Sequence, residues 1–221
     1  MICVSIAEVG LEKCKSALLG LDLAELRLDQ NKLSLTDLSN LLSSKGKTKM
    51  IATCRPNNQM NEQQRKEILL KAIEQGADFV DVEIESEDKI KQEIIAAAKA
   101  RRCKVILSYH NYEKTPSREE LKQTINWCFT DGADIAKIAC KVNDERDNAR
   151  LIGLLDQSDL DRKLIVIGMG EKGKITRIIA PLLGSFCTYV SLSSGKETAD
   201  GQIDKKTLEE AIKNLRKNLG N

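Results

Sequence analysis

Three ionisable side chains stand at the ends of three consecutive strand-like runs, evenly spaced along the chain. They are Glu83, His110 and Lys137, and His110 is the only histidine in the sequence. The interval between them is about one strand–helix unit, which would place them at the same height on neighbouring parallel strands. A carboxylate, an imidazole and an amine that converge at one end of a sheet predict an active site that uses the lysine covalently.

Charged residues also alternate with apolar ones inside the strand-like runs. Glu25 and Arg27 share one face of their run, whereas Leu26 and Leu28 share the other. Because helices cover the outer face of a parallel sheet, the leucines should face outward and the charges inward, and the same parity turns Asp81 inward. Burying unpaired charge costs several kcal/mol, so these inward charges predict a mutually paired polar pocket.

The elements that would position these residues alternate regularly. Strand-like apolar runs are separated by segments of helical period, and they begin near Ile2, Leu21, Lys49, Asp78, Cys103, Asp134, Lys163 and Phe186. Helix start signals stand at Ser34, Asn61, Ser117 and Asp204. Eight such units in 221 residues favour a closed barrel over an open sheet. We therefore predict a protein of the α/β class: a (β/α)8 TIM barrel with a closed, parallel eight-stranded sheet and outer helices, forming a single domain over residues 1–221.

The composition restricts the classes of partner. Hydrophobic residues make up 41% of the chain, charged residues 31%, and the net charge is +2. These values argue against a nucleic-acid or membrane surface, and no segment approaches a transmembrane span. The seven cysteines are scattered without metal-ligand or redox-motif spacing. The sequence predicts a reduced, cytoplasmic protein without a structural metal.

The segment from Gly168 to Gly173 resembles two nucleotide-binding motifs. Gly168-Met-Gly170-Glu-Lys-Gly173 matches the dinucleotide fingerprint, but Ser193 and Ser194 stand where an acidic residue is needed. The stretch also nearly matches a P-loop, with Ile175 in place of the magnesium-binding Ser or Thr. We interpret it as a flexible glycine-rich loop between the seventh strand and its helix, at the barrel mouth.

Seven motifs at barrel-unit spacing resemble the type I 3-dehydroquinate dehydratase family over essentially the whole chain. They are Glu25-Leu-Arg27-Leu-Asp29, Thr53-Cys-Arg55, Asp81-Val-Glu83, Ser108-Tyr-His110-Asn111 with Thr115-Pro116, Ala133-Asp134-Ile-Ala-Lys137-Ile138, Met169 to Arg177, and Gly201-Gln202. The resemblance implies a TIM-barrel hydro-lyase of the shikimate pathway of aromatic amino acid biosynthesis, which converts 3-dehydroquinate to 3-dehydroshikimate.

The resemblance also implies roles for the three spaced residues. Lys137 would form a Schiff base with the substrate ketone, and we expect burial and nearby arginines to favour its neutral amine. His110 would remove the proton alpha to the imine and later protonate the departing hydroxyl. Glu83 would orient His110.

Seven further residues are implied as substrate contacts: Ser5, Glu25, Arg27, Arg55, Arg177, Thr198 and Gln202. Arg177 would clamp the substrate carboxylate through two parallel hydrogen bonds, and Gln202 would help to close the loop 193–202 over the site. This loop departs from the family, since Thr198 replaces the usual serine and Asp200 the usual proline.

Two other functions remain open from the residues alone. One is a different Schiff-base barrel, a class I aldolase for a phosphorylated sugar, with Gly168 to Gly173 as its phosphate cradle. The other is a non-catalytic nucleotide-binding module. The family resemblance implies no cofactor and a homodimer.

Overall fold

The computed structural model describes residues 1–57, 59–156 and 160–218. Within these ranges the chain alternates strands and helices in the predicted order. The strands are β1 Ile2–Ile6, β2 Leu23–Arg27, β3 Lys49–Thr53, β4 Phe79–Glu83, β5 Lys104–Asn111, β6 Ile135–Lys141, β7 Leu164–Met169, β8 Thr188–Ser191 and β9 Ile203–Asp204. The α-helices are α1 Leu11–Leu18, α2 Leu35–Ser43, α3 Glu62–Glu74, α4 Asp88–Ala100, α5 Arg118–Thr130, α6 Glu145–Ile152, α7 Lys174–Ile179 and α8 Lys205–Asn218.

All described strand pairings are parallel, in the order β7-β6-β5-β4-β3-β2-β1-β8-β9. This confirms the predicted fold class. The structure differs from the predicted closed sheet at one place. A closed sheet requires β7 to pair with β8, but these two strands are in contact without strand pairing. A backbone hydrogen bond from the N–H of Phe186 to the carbonyl of Leu164, 2.8 Å long, is formed at this place. The two-residue β9 was not predicted, since so short a strand carries no periodic signal.

Local sequence signals set the helix starts. Ser34, Asn61 and Ser117 each form a reciprocal capping box with the residue three positions on. Asp204 accepts from the backbone N–H of Thr207 at the start of α8, as predicted.

Side-chain alternation along the strands separates two apolar cores. The larger core lies between sheet and helices and contains Leu26, Val80 and Val82, so the predicted outward parity is confirmed. The smaller core lies inside the barrel and includes, below the cavity, Leu23, Ile51, Phe79, Ile106, Ile135 and Ile165. The residues two positions after the first five of these are polar or charged: Glu25, Thr53, Asp81, Ser108 and Lys137. All five are buried, so the charged layer rests on an apolar floor.

All seven cysteines are buried free thiols. No helix in the described ranges has the length and apolar character needed to cross a bilayer.

Candidate active site

Nine of the ten predicted site residues line one cavity of about 520 Å³ at the C-terminal ends of the strands, a size suited to a small metabolite. The nine are Ser5, Glu25, Arg27, Arg55, His110, Lys137, Arg177, Thr198 and Gln202. Glu83 is the exception.

The equal spacing of the three starting residues does not put them at one height. Glu83 and Lys137 both pair in register with Ser108, whereas His110 lies two residues further along β5, opposite Ala139. His110 therefore lies nearer the cavity mouth and Lys137 deeper. Chain spacing cannot reveal this difference, because the register between neighbouring strands depends on the stagger of the barrel.

Carboxylates contact the amine of Lys137 directly, and one of the expected nearby arginines, Arg55, bonds to the same oxygen of Asp81 as Lys137 does. Its Nζ lies 2.8 Å from Oδ2 of Asp81 and 3.9 Å from Oε1 of Glu25. The ring of Tyr189 lies beneath it, with the centroid 4.2 Å from Nζ. Side-chain exposure of Lys137 is 5%, so these contacts hold the amine in a nearly dry position.

Asp81 is a buried carboxylate beside Lys137 that was not among the ten predicted site residues. Burial raises the pKa of this carboxyl, but the cations Arg55 and Lys137 outweigh burial and bring the pKa well below its usual range. The carboxylate accepts from Nη2 of Arg55 at 2.6 Å and from the hydroxyl of Ser108 at 2.6 Å. Asp81 is therefore ionised at neutral pH beside the amine of Lys137. Its inward parity and its place in the motif Asp81-Val-Glu83 were the two sequence signals.

His110 is half-buried in the cavity wall, stacked on Tyr112 with ring centroids 6.0 Å apart. Burial lowers its pKa well below the usual value, and the cations Arg55 and Lys137 lower it further. The imidazole is consequently neutral near pH 7, the form in which it can accept a proton.

The contacts of Glu83 differ from the predicted ones. Its two carboxylate oxygens accept from Nη1 of Arg55 and from Nη2 of Arg65, which reaches in from α3. Arg65 is itself anchored by a 2.9 Å bond from Nε to the carbonyl of Cys54. In this structure Glu83 thus holds Arg55 rather than His110. The orienting role that the resemblance implies for Glu83 stays a prediction.

Arg177 is a buried cation without a carboxylate partner in the described part of the chain. Only 1% of it is exposed, and its guanidinium donates to two backbone carbonyls, those of Tyr189 and Asp200, each at 3.2 Å. Its Nε has no hydrogen-bond partner among the described residues. Burial lowers its pKa to about 10, which still leaves it charged at neutral pH. A desolvated guanidinium facing a cavity is suited to bind an anion.

A chain of hydrogen bonds connects the loop from Ser193 to Gln202, here called the lid, to Glu25 in the charged layer of the barrel. Gln202 donates to the hydroxyl of Ser5 at 3.2 Å, and that hydroxyl donates to Glu25 at 2.7 Å. The backbone N–H and the hydroxyl of Thr198 both point to Oε1 of Gln202, at 2.7 and 3.3 Å. Arg27, paired with Asp29, donates to the carbonyl of Thr198 at 3.0 Å.

The glycine-rich stretch of the seventh unit closes on itself. A Cβ at Gly173 would collide with the backbone of Gly168, and Gly170 has a φ of +83°. The N–H groups of Gly168, Gly170 and Gly173 bond to Thr176, Asp200 and Gly170 respectively. These glycines permit the close turn that leads into α7 and places Arg177.

No group of three or more His, Cys, Asp or Glu side chains in the described ranges is arranged to hold a metal ion. A parallel α/β barrel that carries a buried lysine, a neutral histidine and an unpaired guanidinium at its strand ends has the architecture of a TIM-barrel enzyme.

Comparison with known proteins defines the family within this class. The family model for type I 3-dehydroquinase matches residues 2–218. A 3-dehydroquinate dehydratase of Methanocaldococcus jannaschii is 36% identical over 95% of this chain and 96% of its own length, and one of Methanosarcina barkeri is 35% identical over 88% and 87%. A type I 3-dehydroquinate dehydratase of Clostridium difficile, solved with covalently modified comenic acid, superposes with a TM-score of 0.86 at 26% identity, over 98% of this chain and 92% of that one. The chain belongs to the type I 3-dehydroquinase family.

Proposed function

We propose that this enzyme dehydrates 3-dehydroquinate to 3-dehydroshikimate in the shikimate pathway through a Schiff base on Lys137. The observation that carries the proposal is that one cavity is lined by both the buried amine of Lys137 and the unpaired guanidinium of Arg177. The substrate carries a ketone for the first and a carboxylate for the second. Family membership supports the same reaction.

Lys137 attacks the ketone as its transiently neutral amine. Over the whole step, the ammonium and the ketone give a protonated imine and one water, so a positive charge is present before and after. The anionic Asp81, 2.8 Å away, stabilises this charge in both states. The protonated imine then withdraws electrons from the adjacent carbon–hydrogen bond, which makes that proton removable.

His110 accepts this proton and returns it to the departing hydroxyl, so that one base serves both halves of the elimination. Its lowered pKa keeps the imidazole neutral for the first half. Glu83 acts on Arg55, whose guanidinium bridges Glu83, Ser108 and Asp81. Through Arg55, Glu83 positions the charges around Asp81 and His110, and its direct orientation of His110 stays a prediction.

The remaining cavity residues bind the substrate. Arg177 takes the carboxylate through two parallel N–H donors, and Gln202 and Thr198 cover it from the lid. Ser5, Glu25, Arg27 and Arg55 face the ring hydroxyls. The residues need no cofactor and no metal for this chemistry. We also propose that the protein is cytoplasmic and forms a homodimer, and light scattering of the purified protein would test the dimer.

A class I aldolase for phosphorylated sugars is the second candidate. It needs free backbone N–H groups in the loop from Gly168 to Gly173, yet three of these groups already have partners within the protein. Incubation with 3-dehydroquinate should produce the ultraviolet absorbance of a conjugated enone, while sugar phosphates should give no product. The reverse result would favour the aldolase.

Arg177→Lys should weaken ligand binding although it keeps the charge. The loss of one charge-assisted hydrogen bond costs about 1.5–3 kcal/mol, or roughly a 10- to 150-fold rise in Kd. Calorimetric titration with the product would measure this change. Arg146→Lys, at a side chain that is 92% exposed, is the matched control. Wild-type affinity in Arg177→Lys would remove the two-donor clamp from the proposal.

Substitutions of Thr198 in the lid should weaken ligand binding less than Arg177→Lys does. Thr198→Ser keeps the hydroxyl that faces Gln202 and should be nearly silent. Thr198→Val keeps the shape but loses the donor, and should weaken binding by about 0.5–1.5 kcal/mol. Kinetics of the two variants side by side would test this. Equal KM values for both would show that the hydroxyl plays no part and would leave Gln202 as the lid contact.

A further inference from the structure

A second set of contacts holds the opposite side of the lid. Asp200 lies two residues before Gln202, and its backbone carbonyl accepts from Nη2 of Arg177 and from the N–H of Gly170, at 3.2 and 3.3 Å. The position of Asp200 thus helps to decide where the guanidinium of Arg177 lies. The contacts of its side chain therefore matter for the anion site.

That side chain pairs with a lysine on the catalytic strand. Lys141 is the second cavity-facing position after Lys137 on β6, since 137, 139 and 141 share a face. Its Nζ lies 2.6 Å from Oδ2 of Asp200, and both residues line the cavity. The pair passes over Gly170, where a Cβ would lie 2.8 Å from Nζ of Lys141. The absence of a side chain at position 170 makes room for this contact.

We propose that Lys141 and Asp200 are positioning residues that form an ion-pair latch and hold the lid closed over the active site. The latch fixes the main chain at Asp200 and, through its carbonyl, the guanidinium of Arg177. The expected effect of the latch on catalysis rests on the proposed function. Its expected effect on the opening of the lid does not.

The position of Lys141 also allows a rival role, direct binding of the substrate by its ammonium. Asp200 argues against that role, because its carboxylate already pairs with the ammonium. The side chains are 34% and 61% exposed, so water and salt screen the pair. A latch of this kind is expected to change the lid's open population by about two- to five-fold, the range of exposed ion pairs.

Limited proteolysis of the ligand-free protein tests the latch without turnover. Lys196 is an exposed trypsin site inside the lid, with 54% side-chain exposure. Lys141→Gln and Asp200→Asn should each speed cleavage after Lys196 about two- to five-fold at low salt, and the double variant should be no faster than either. Lys141→Arg, which keeps the positive charge, should be cleaved as slowly as the wild type. Lys174→Gln, which removes the Lys174–Glu171 pair at the same end of the barrel, is the matched control.

Steady-state kinetics with 3-dehydroquinate supply the second measurement. Both single variants should raise KM about two- to five-fold with kcat changed less than two-fold, and high salt should reduce the difference from wild type. Unchanged proteolysis in both variants would overturn the latch. A raised KM in Lys141→Gln with a normal KM in Asp200→Asn would also overturn it, and would assign Lys141 to the substrate. If the wild type does not turn over 3-dehydroquinate, the proposed function fails, while proteolysis still decides the latch.

Discussion

Lys137→Ala is expected to abolish turnover and the covalent adduct together. Borohydride added with substrate should reduce the imine and fix one ligand equivalent to the wild-type protein. Because a reduced imine resists trypsin, the adduct should appear on a peptide running from Gln123 to Lys141, which an unmodified chain splits after Lys137. The expected loss of kcat is roughly 10⁴- to 10⁶-fold, the scale seen when a covalent nucleophile is removed.

The structure supplies the controls for this experiment. Lys172 and Lys174 stand near the barrel mouth but bond to the carbonyl of Asn143 and to Glu171. Lys172→Ala and Lys174→Ala should therefore keep both adduct and turnover. Thermal unfolding of Lys137→Ala should confirm that the variant is folded, since Asp81 retains Arg55 and Ser108 as partners. An adduct on Lys172 or Lys174 would exclude Lys137 as the Schiff-base residue.

His110→Ala should lose roughly 10²- to 10⁴-fold in kcat, the usual contribution of a general acid–base group. Borohydride trapping should slow without vanishing, because the amine of Lys137 remains. This split between adduct and turnover distinguishes His110 from Lys137. A variant with near-normal turnover would remove the imidazole from the mechanism.

The pH dependence gives His110 a second signature. Its pKa is lowered by burial and then by Arg55 and Lys137, so the base form persists as the pH falls through 6.5. The acid limb of kcat/KM, which reports the free enzyme, should therefore lie well below pH 6.5 and disappear in His110→Ala. As the only histidine, His110 should give a single imidazole resonance that titrates in the same range and shifts when ligand binds. Titration at the ordinary value would contradict the burial and charge argument.

Local patterns predicted most of the framework. The reciprocal caps at Ser34, Asn61 and Ser117 involve residues only three positions apart, and the structure forms each of them. The parity of Glu25 against Leu26 likewise follows from side-chain alternation within one strand. These features are properties of short segments, so the sequence alone was sufficient.

The contacts between strands required the tertiary structure. The relative heights of His110 and Lys137 depend on the stagger between β5 and β6, which chain spacing does not encode. The partners of Glu83 depend on how far the side chains of Arg55 and Arg65 reach from other elements. By itself, the sequence determined the order of strands and helices, the inward face of the strand charges and nine of the residues that line the cavity. Only the tertiary structure decided the partners in each ion pair. The two charged atoms of a pair must lie within a few ångströms of each other, while their residues can be far apart along the chain.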